Sequence, residues 1–161
     1  MQYTLLDLLK PEHVRADLPA ADAASVIRLL NDALVRTGNT TAEFAEDACA
    51  RELTFPTGLP TAPIPVAIPH ADPPHVNASA VSIGTLRSPV IFGQMGTDGS
   101  VQLEVRAVFL LAIKEQEKQV EMIQQLMKVI QNAALLEAVI KADDPDAIVS
   151  LIRRTVGGGA G

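Results

Sequence analysis

The chain has 161 residues, 48% of them hydrophobic, and a formal net charge of -6. This length and composition suit one domain that buries one sizeable core. Because the acidic residues are scattered and the basic residues form no cluster, the sequence argues against nucleic-acid binding and against an electrostatic anchor on anionic membranes.

Cysteine content and hydropathy indicate in which cellular compartment the protein is expected. Cys49 is the only cysteine, so the chain cannot form an internal disulfide. The N-terminus lacks the basic segment followed by an apolar run that is typical of a signal peptide. No apolar run approaches the ~18 to 20 residues that span a bilayer. We therefore expect a cytoplasmic protein without direct membrane insertion.

The N-terminal third has helical patterns. Residues 3–9 are apolar but few, and they fit either one turn of helix or an edge strand. Apolar residues at helical spacing predict an amphipathic helix over residues 21–37, which Gly38 ends. A Thr-x-x-Glu pattern that begins at Thr40 predicts the start of a second helix, and this helix leads to Arg51.

The middle of the chain is typical of strands and loops. Residues 55–63 contain three prolines and a glycine, so they form neither a helix nor a central strand. Short apolar runs predict strands at 64–68, 80–86 and 90–92. Residues 103–113 predict the strongest strand, which becomes apolar throughout, as if both of its faces were buried.

Helical periodicity returns from residue 117, and Asp144-Pro145 is typical of a cap followed by proline at the first helical position. Helices at both ends and strands between them predict an α/β (α+β) fold, with a small mixed sheet of about four to five strands covered by helices. We expect one domain over residues 1–156 and a flexible glycine-rich tail over residues 157–161.

The candidate chemistry lies in residues 51–75, where Pro69 ends the apolar strand and His70 follows it. A neutral imidazole has a free nitrogen lone pair, which can accept a phosphoryl group and hand it on. This chemistry needs an accessible ring, apolar surroundings that a partner can cover, and donors for the phosphoryl oxygens. Arg51 and the Thr57 hydroxyl are the nearest candidate donors.

The same histidine fits two other interpretations. His70, Asp72 and His75 offer three potential metal ligands within six residues. Zinc sites normally add cysteines or a further histidine, and only His13 and Cys49 remain to supply one. Alternatively, His70 and His75 are polar loop residues at a strand end and have no chemical role.

Three motifs in a fixed order resemble one bacterial family. They are Arg-Glu at 51–52, Phe-Pro-Thr-Gly at 55–58 and Ala-Ile-Pro-His at 67–70. Together with the helical N-terminal third and the long strand followed by a helix, they resemble the IIA domains of the phosphoenolpyruvate-dependent sugar phosphotransferase system (PTS), in the fructose and mannitol class. The resemblance covers nearly the whole chain.

Within that class the chain is most similar to the galactitol-type IIA component. It shares the Phe-Pro-Thr-Gly run, His75 five positions after His70, and the segment 92–95. Mannitol-type members carry a second functional histidine near the start of the helix after the long strand. This chain resembles the galactitol type in having Gln119 there, a residue that can donate a hydrogen bond but cannot titrate.

The resemblance implies a phosphohistidine carrier, which is a phosphotransferase component that performs no complete reaction alone and uses no cofactor or metal. His70 would accept a phosphoryl group from the carrier protein HPr and pass it to a cysteine of a IIB component. The membrane IIC permease would then import galactitol or a related sugar or alditol. Arg51 and Thr57 match positions that bind or support the phosphoryl group, and His75 and Gln119 are further candidates. The alternative is a regulatory IIA-like protein, phosphorylated on the same histidine, that controls a target protein.

Overall fold

Six α-helices surround a five-stranded sheet in the computed structural model, which describes residues 3–157. The helices are α1 (Leu5–Leu8), α2 (Ala23–Arg36), α3 (Ala42–Thr54), α4 (Gln119–Ile130), α5 (Ala133–Lys141) and α6 (Pro145–Ile152). The strands are β1 (Val14–Leu18), β2 (Gly58–Leu59), β3 (Val66–Ala67), β4 (Ala80–Gly93) and β5 (Gln102–Ala112). The predicted single domain with a mixed sheet covered by helices is confirmed. Residues 158–161 of the predicted tail lie outside the described residues, and its flexibility stays a prediction.

The sheet has the strand order β1-β4-β5-β3-β2. Strands β4 and β5 form a long antiparallel hairpin, whereas β1 pairs with β4 and β3 pairs with β5 in parallel. The short β2 pairs antiparallel with β3 at the edge of the sheet. This topology places the end of β3, where the candidate histidine follows, directly beside the most buried strand.

Helices cover both faces of the sheet. Helices α1, α4, α5 and α6 pack on one face, against alternate residues of β4 and β5 that include Ile83 and Phe109. Helices α2 and α3 pack on the other face, against residues that include Val108 and Leu110. Every residue from Ala107 to Ala112 is buried, so the prediction that this strand is buried on both faces is confirmed.

The sequence reading missed strand β1. In its five residues, Arg15 and Asp17 alternate with three apolar residues, and Asp17 adopts a left-handed backbone conformation with φ of 54°. The hydroxyl of Thr85 accepts a hydrogen bond from the Asp17 backbone N–H at 3.0 Å. The alternation is the period expected of a strand, but five residues give only a short signal in one sequence.

Two further expectations were wrong in detail. The strands predicted at 80–86 and 90–92 are parts of one strand, β4, whose register against β5 shifts between Thr85 and Val90. The N-cap of α3 is Thr41 rather than Thr40, whose hydroxyl instead donates to Asn31 Oδ1 at 2.6 Å. Both errors concern boundaries, which depend on tertiary partners more than on local pattern.

The proline-rich loop contributes an edge strand that periodicity did not predict. At Gly58 in β2, a side-chain Cβ would lie 2.5 Å from the backbone oxygen of Gly93. Only glycine lets the two backbones approach this closely. The approach brings the turn between β4 and β5 against the loop that precedes β3.

His13 and Cys49 both pack within the fold. His13 is buried, with Nε2 2.8 Å from Thr37 Oγ1. Cys49 is partly buried against the core cluster on the α2–α3 face, and burial raises the pKa of its thiol. No helix within residues 3–157 is long and apolar enough to cross a membrane.

Candidate functional site

The main chain around His70 extends strand β3. The Pro69 carbonyl accepts a hydrogen bond from the Leu111 N–H at 3.0 Å, and His70 forms an isolated parallel bridge with Leu111. Proline 69 cannot donate to the sheet, so regular pairing stops there. The histidine is therefore held at a fixed position by β5, at the point where the chain turns into a loop.

The His70 ring has one nitrogen bound and one available. Nδ1 lies 2.8 Å from the backbone oxygen of Ile68, and because a carbonyl can only accept, Nδ1 must carry the proton. Nε2 makes no hydrogen bond to any residue that the structure describes, so in the neutral ring it presents a lone pair. The residue is 8% exposed and lines a surface cavity of about 620 Å³.

Burial lowers the pKa of His70 below its ordinary value, and the nearby positive charge of Arg51 lowers it further. The hydrogen bond to Ile68 and the charge of Asp72 act in the opposite direction. Because the net shift is downward, the ring is neutral near pH 7. A neutral imidazole with a free Nε2 lone pair is the nucleophilic form.

Arg51 lines the same cavity as His70. It lies in the last turn of α3, and its guanidinium carbon is 5.1 Å from the centroid of the Phe55 ring. Arg51 forms no ion pair within residues 3–157, and its Nε atom is buried without a hydrogen-bond partner. An arginine with an uncompensated charge beside a neutral imidazole is suited to bind an anion.

Thr57 also lines the cavity, but its hydroxyl is already engaged. The residue is 2% exposed. Its Oγ1 donates to Glu52 Oε1 at 2.8 Å and accepts from the Ile68 N–H at 3.2 Å. The structure thus brings Arg51, Thr57 and His70 together, and it gives Thr57 two protein partners.

Gln119 does not line the cavity of His70. It is the first residue of α4, and its Nε2 donates to the Ala71 carbonyl at 3.3 Å. Its Oε1 is buried and has no partner. The side chain therefore contacts the residue that follows His70 and keeps one unsatisfied acceptor.

His75 lies outside the His70 cavity. It ends a short 3-10 turn, Pro73–His75, and its Nδ1 lies 2.5 Å from Asp47 Oδ2 on α3. Asp47 and Arg51 are one helical turn apart and line a second cavity of about 310 Å³ together with Asp72. The pairing of His75 with Asp47 attaches the turn after His70 to the helix that carries Arg51.

The three residues of the metal interpretation are not assembled into a metal site. His70 bonds Ile68, and His75 bonds Asp47. Within residues 3–157, no group of three or more His, Cys, Asp or Glu side chains could hold a metal ion.

The family model described as "Phosphoenolpyruvate-dependent sugar phosphotransferase system, EIIA 2" matches residues 7–155. The chain belongs to this family. PTS EIIA components are the phosphotransferase parts of a sugar transport system, and the galactitol-specific EIIA component of Escherichia coli K12 is a relative of this chain. It is 24% identical over 127 residues, which are 79% of this chain and 83% of the relative.

Solved structures confirm the EIIA fold. The mannitol IIA of Escherichia coli matches with a TM-score of 0.75 at 22% identity, over 89% of this chain and 98% of the other. A second structure holds that IIA in complex with phosphorylated IIB, with a TM-score of 0.72 at 22% identity over 89% and 96% of the chains. The nitrogen regulatory protein IIA-Ntr of Neisseria meningitidis matches with a TM-score of 0.74 at 20% identity, over 91% and 97%.

Sequence reasoning missed part of the wall of this EIIA cavity. Phe55 and Ile123 supply apolar wall, and the turn between β4 and β5 supplies Met95, Thr97 and Asp98. Two glycines with positive φ, at 82° and 93°, shape that turn. The pattern of the segment 92–95 had contributed to the family resemblance, but nothing local in the sequence shows that this turn folds over the histidine.

Proposed function

We propose that the chain is a phosphohistidine carrier that accepts a phosphoryl group on His70 from HPr and passes it to a cysteine of a IIB component. The observation that carries the proposal is the state of the ring: Nδ1–H is bound by the Ile68 carbonyl, which leaves Nε2 free in a cavity that also holds the unpaired Arg51. Neither a metal site nor a purely structural histidine needs this combination.

In the proposed first step, the Nε2 lone pair forms a bond to phosphorus. The bond between phosphorus and the donor atom of HPr breaks, and the donor keeps the electron pair. The ring retains the proton on Nδ1 and gains a positive charge, which the Ile68 carbonyl stabilises at 2.8 Å. The protonated ring is a good leaving group, so the same contact favours onward transfer to a thiolate.

The other candidates act around this step in different ways. Arg51 binds the phosphoryl oxygens because its charge is uncompensated. Thr57 and Gln119 support the histidine through its neighbours Ile68 and Ala71. His75 supports Arg51 indirectly: it holds the Asp47 carboxylate, which would otherwise be available to pair with an arginine four residues further along α3.

Exposed apolar side chains at the cavity favour a protein partner. Phe55 is 59% exposed and Met95 is 38% exposed, and both line the cavity. A partner that covers them excludes water from the reactive phosphoryl group. HPr and a IIB component are the partners we propose, and a IIC permease takes part only indirectly.

We propose galactitol or a related sugar or alditol as the transported substrate, on the basis of the galactitol-specific relative. A regulatory output is the second candidate. The match to a nitrogen regulatory IIA, with a TM-score of 0.74, is the observation that favours it. Both functions use the same phosphorylation, and only the recipient of the phosphoryl group or of the signal differs.

Phosphorylation in a defined mixture tests the proposal. With phosphoenolpyruvate, enzyme I and HPr, we expect the wild-type chain to gain one phosphoryl group that is acid-labile and base-stable, and NMR should place it on Nε2. Transfer from the labelled chain to a IIB cysteine distinguishes the carrier from the regulator. If the wild-type chain takes up no phosphoryl group, the proposal is wrong.

The pH dependence gives a second test. An exposed histidine loses half of its nucleophilic form near pH 6.5. Because burial lowers the pKa of His70, we expect the initial phosphorylation rate to stay level down to and below that pH. The same shift makes the folded state bind fewer protons than the unfolded state, so the contribution of His70 to stability is lost as pH falls from about 6.5 towards the lowered pKa.

An NMR titration of the ring, with a histidine peptide as reference, measures this shift directly. A His70 midpoint at or above that of the peptide would contradict the expectation. Thermal denaturation between pH 5 and 8, compared with His70→Ala, checks the stability effect.

A further inference from the structure

Glu52 is a partly buried carboxylate that the proposed phosphotransfer does not use. It follows Arg51 on α3, but it does not line the His70 cavity; it lines a separate one with Cys49 and Leu53. Within the described residues Glu52 has no ion-pair partner. Burial raises the pKa of its carboxyl, and two hydrogen bonds from Thr57 oppose that shift.

Both Glu52 oxygens bind the same residue. Oε2 accepts from the Thr57 N–H at 2.8 Å, and Oε1 accepts from the Thr57 hydroxyl at 2.8 Å. A carboxylate can only accept, so it fixes the direction in which the hydroxyl donates. The Thr57 oxygen is left with its lone pairs available, and one of them faces the backbone of Ile68.

The hydrogen bonds continue from Thr57 to the histidine. The Ile68 N–H is shared between Thr57 Oγ1 at 3.2 Å and the Thr57 carbonyl at 3.3 Å. The carbonyl of Ile68 accepts the Nδ1 proton of His70 at 2.8 Å. A continuous path of hydrogen bonds thus joins Glu52, Thr57, Ile68 and His70, across three segments of the chain.

We propose that Glu52 is a positioning residue, which through Thr57 and Ile68 holds His70 in the Nδ1–H tautomer and at a fixed place relative to Arg51. The inference rests on the proposed phosphotransfer for its kinetic consequence, although the tautomer itself can be measured without it. Arg51 belongs to α3 and His70 to the end of β3. Glu52 joins these two elements because it is adjacent to the arginine and bound to the loop that contacts the strand.

The contacts of this carboxylate explain why a partly buried charged group lies next to Arg51. Glutamine has the same shape, but it has one accepting oxygen where the carboxylate has two, so it cannot accept from both the Thr57 N–H and the Thr57 hydroxyl. In Glu52→Gln, one of these two contacts is lost, and the contact of Thr57 with Ile68 weakens. Misplacement of a reacting group by about 1 Å can lower a rate up to about 100-fold.

The test uses the full chain, four single variants and the double variant that combines Glu52→Gln with Thr57→Val. Glu52→Gln and Thr57→Val break the path, Thr57→Ser keeps the hydroxyl, and Glu46→Gln is the matched control. Glu46 lies on the same helix but is exposed and pairs with Arg28. Two quantities are measured in each: the His70 tautomer of the unphosphorylated protein, by nitrogen-15 NMR, and the initial rate of phosphorylation by phosphorylated HPr.

We expect the wild type, Thr57→Ser and Glu46→Gln to hold the neutral ring with its proton on Nδ1. In Glu52→Gln and Thr57→Val, the Nε2–H tautomer should gain population, and the phosphorylation rate should fall roughly 10- to 100-fold. The double variant should be no slower than the slower single variant, because both residues belong to one network.

A folded Glu52→Gln protein with the wild-type tautomer would overturn the inference, whatever its rate. If Glu52→Gln does not fold, the His70 tautomer is compared between Thr57→Val and Thr57→Ser, and the same tautomer in both would overturn the inference. If the wild type itself is not phosphorylated, the proposed function fails, while the tautomer measurement still supports or refutes the role of Glu52.

Discussion

In His70→Ala, phosphorylation from HPr should fall to background. The ring supplies the only unbound nucleophilic nitrogen that lines the cavity among the described residues, and alanine has no group that can bond to phosphorus. Removing the ring also leaves the Ile68 carbonyl without its side-chain donor, a loss that costs about 1–3 kcal/mol of folding free energy. Measuring bound phosphate and thermal unfolding on the same sample separates the chemical effect from the structural one.

His75→Ala is the paired control for the site of attachment. Since His75 lies outside the cavity and bonds Asp47, this variant should still accept one phosphoryl group. If its phosphorylation rate is lower than that of the wild type, the reason is that Asp47 has lost its partner and is available to pair with Arg51. Full labelling of His70→Ala, or loss of the covalent label in His75→Ala, would place the phosphoryl acceptor elsewhere.

Arg51→Gln should slow phosphorylation by about 100- to 1,000-fold, which is the usual effect of removing one group that stabilises charge in a transition state. The charge of Arg51 has no ion-pair partner among residues 3–157 and faces the cavity of His70. Arg51→Lys keeps the charge but loses the planar pair of donors, so its rate should lie between those of the wild type and Arg51→Gln. Initial rates at saturating phosphorylated HPr measure the effect.

Unlike the phosphorylation rate, the stability of the fold should not fall in Arg51→Gln. Arg51 Nε is buried without a hydrogen-bond partner, and such an atom costs roughly 1–3 kcal/mol. Its removal should leave the midpoint of urea unfolding unchanged or raise it, although the contact with the Phe55 ring is lost. A large drop in stability together with a normal rate would mean that Arg51 is structural. Arg28→Gln, on the exposed surface of α2, is the control for loss of one positive charge.

Much of the fold follows from local patterns in the sequence. Helix α2 and strand β5 have strong periodicity, and Pro69 marks the end of the strand that precedes His70. Strand β1 was missed because its alternation of apolar and polar residues extends over only five residues, and β2 was missed because two residues between prolines give no periodic signal. Pairing with neighbours distant in the chain makes both of them strands.

The part of the candidate site that lies in local motifs could be predicted from the sequence. Arg51, Thr57 and His70 belong to motifs that can be recognised in one sequence, and the structure places all three at one cavity. The partner of His75 is 28 residues away in the sequence, so no local pattern could reveal it. Glu52 was visible only as part of a motif, because its importance lies in which atoms its two oxygens contact.

The proton on Nδ1 is held by a main-chain oxygen, and that has a consequence for how the site tolerates mutation. A carboxylate that orients a histidine can be lost by a single substitution, whereas any amino acid at position 68 still supplies a carbonyl. The backbone conformation, rather than the identity of a neighbouring side chain, therefore determines the reactive tautomer. Substitutions of Ile68 should alter packing while sparing the chemistry, and sensitivity to mutation should be concentrated in the side chains that hold the backbone in place.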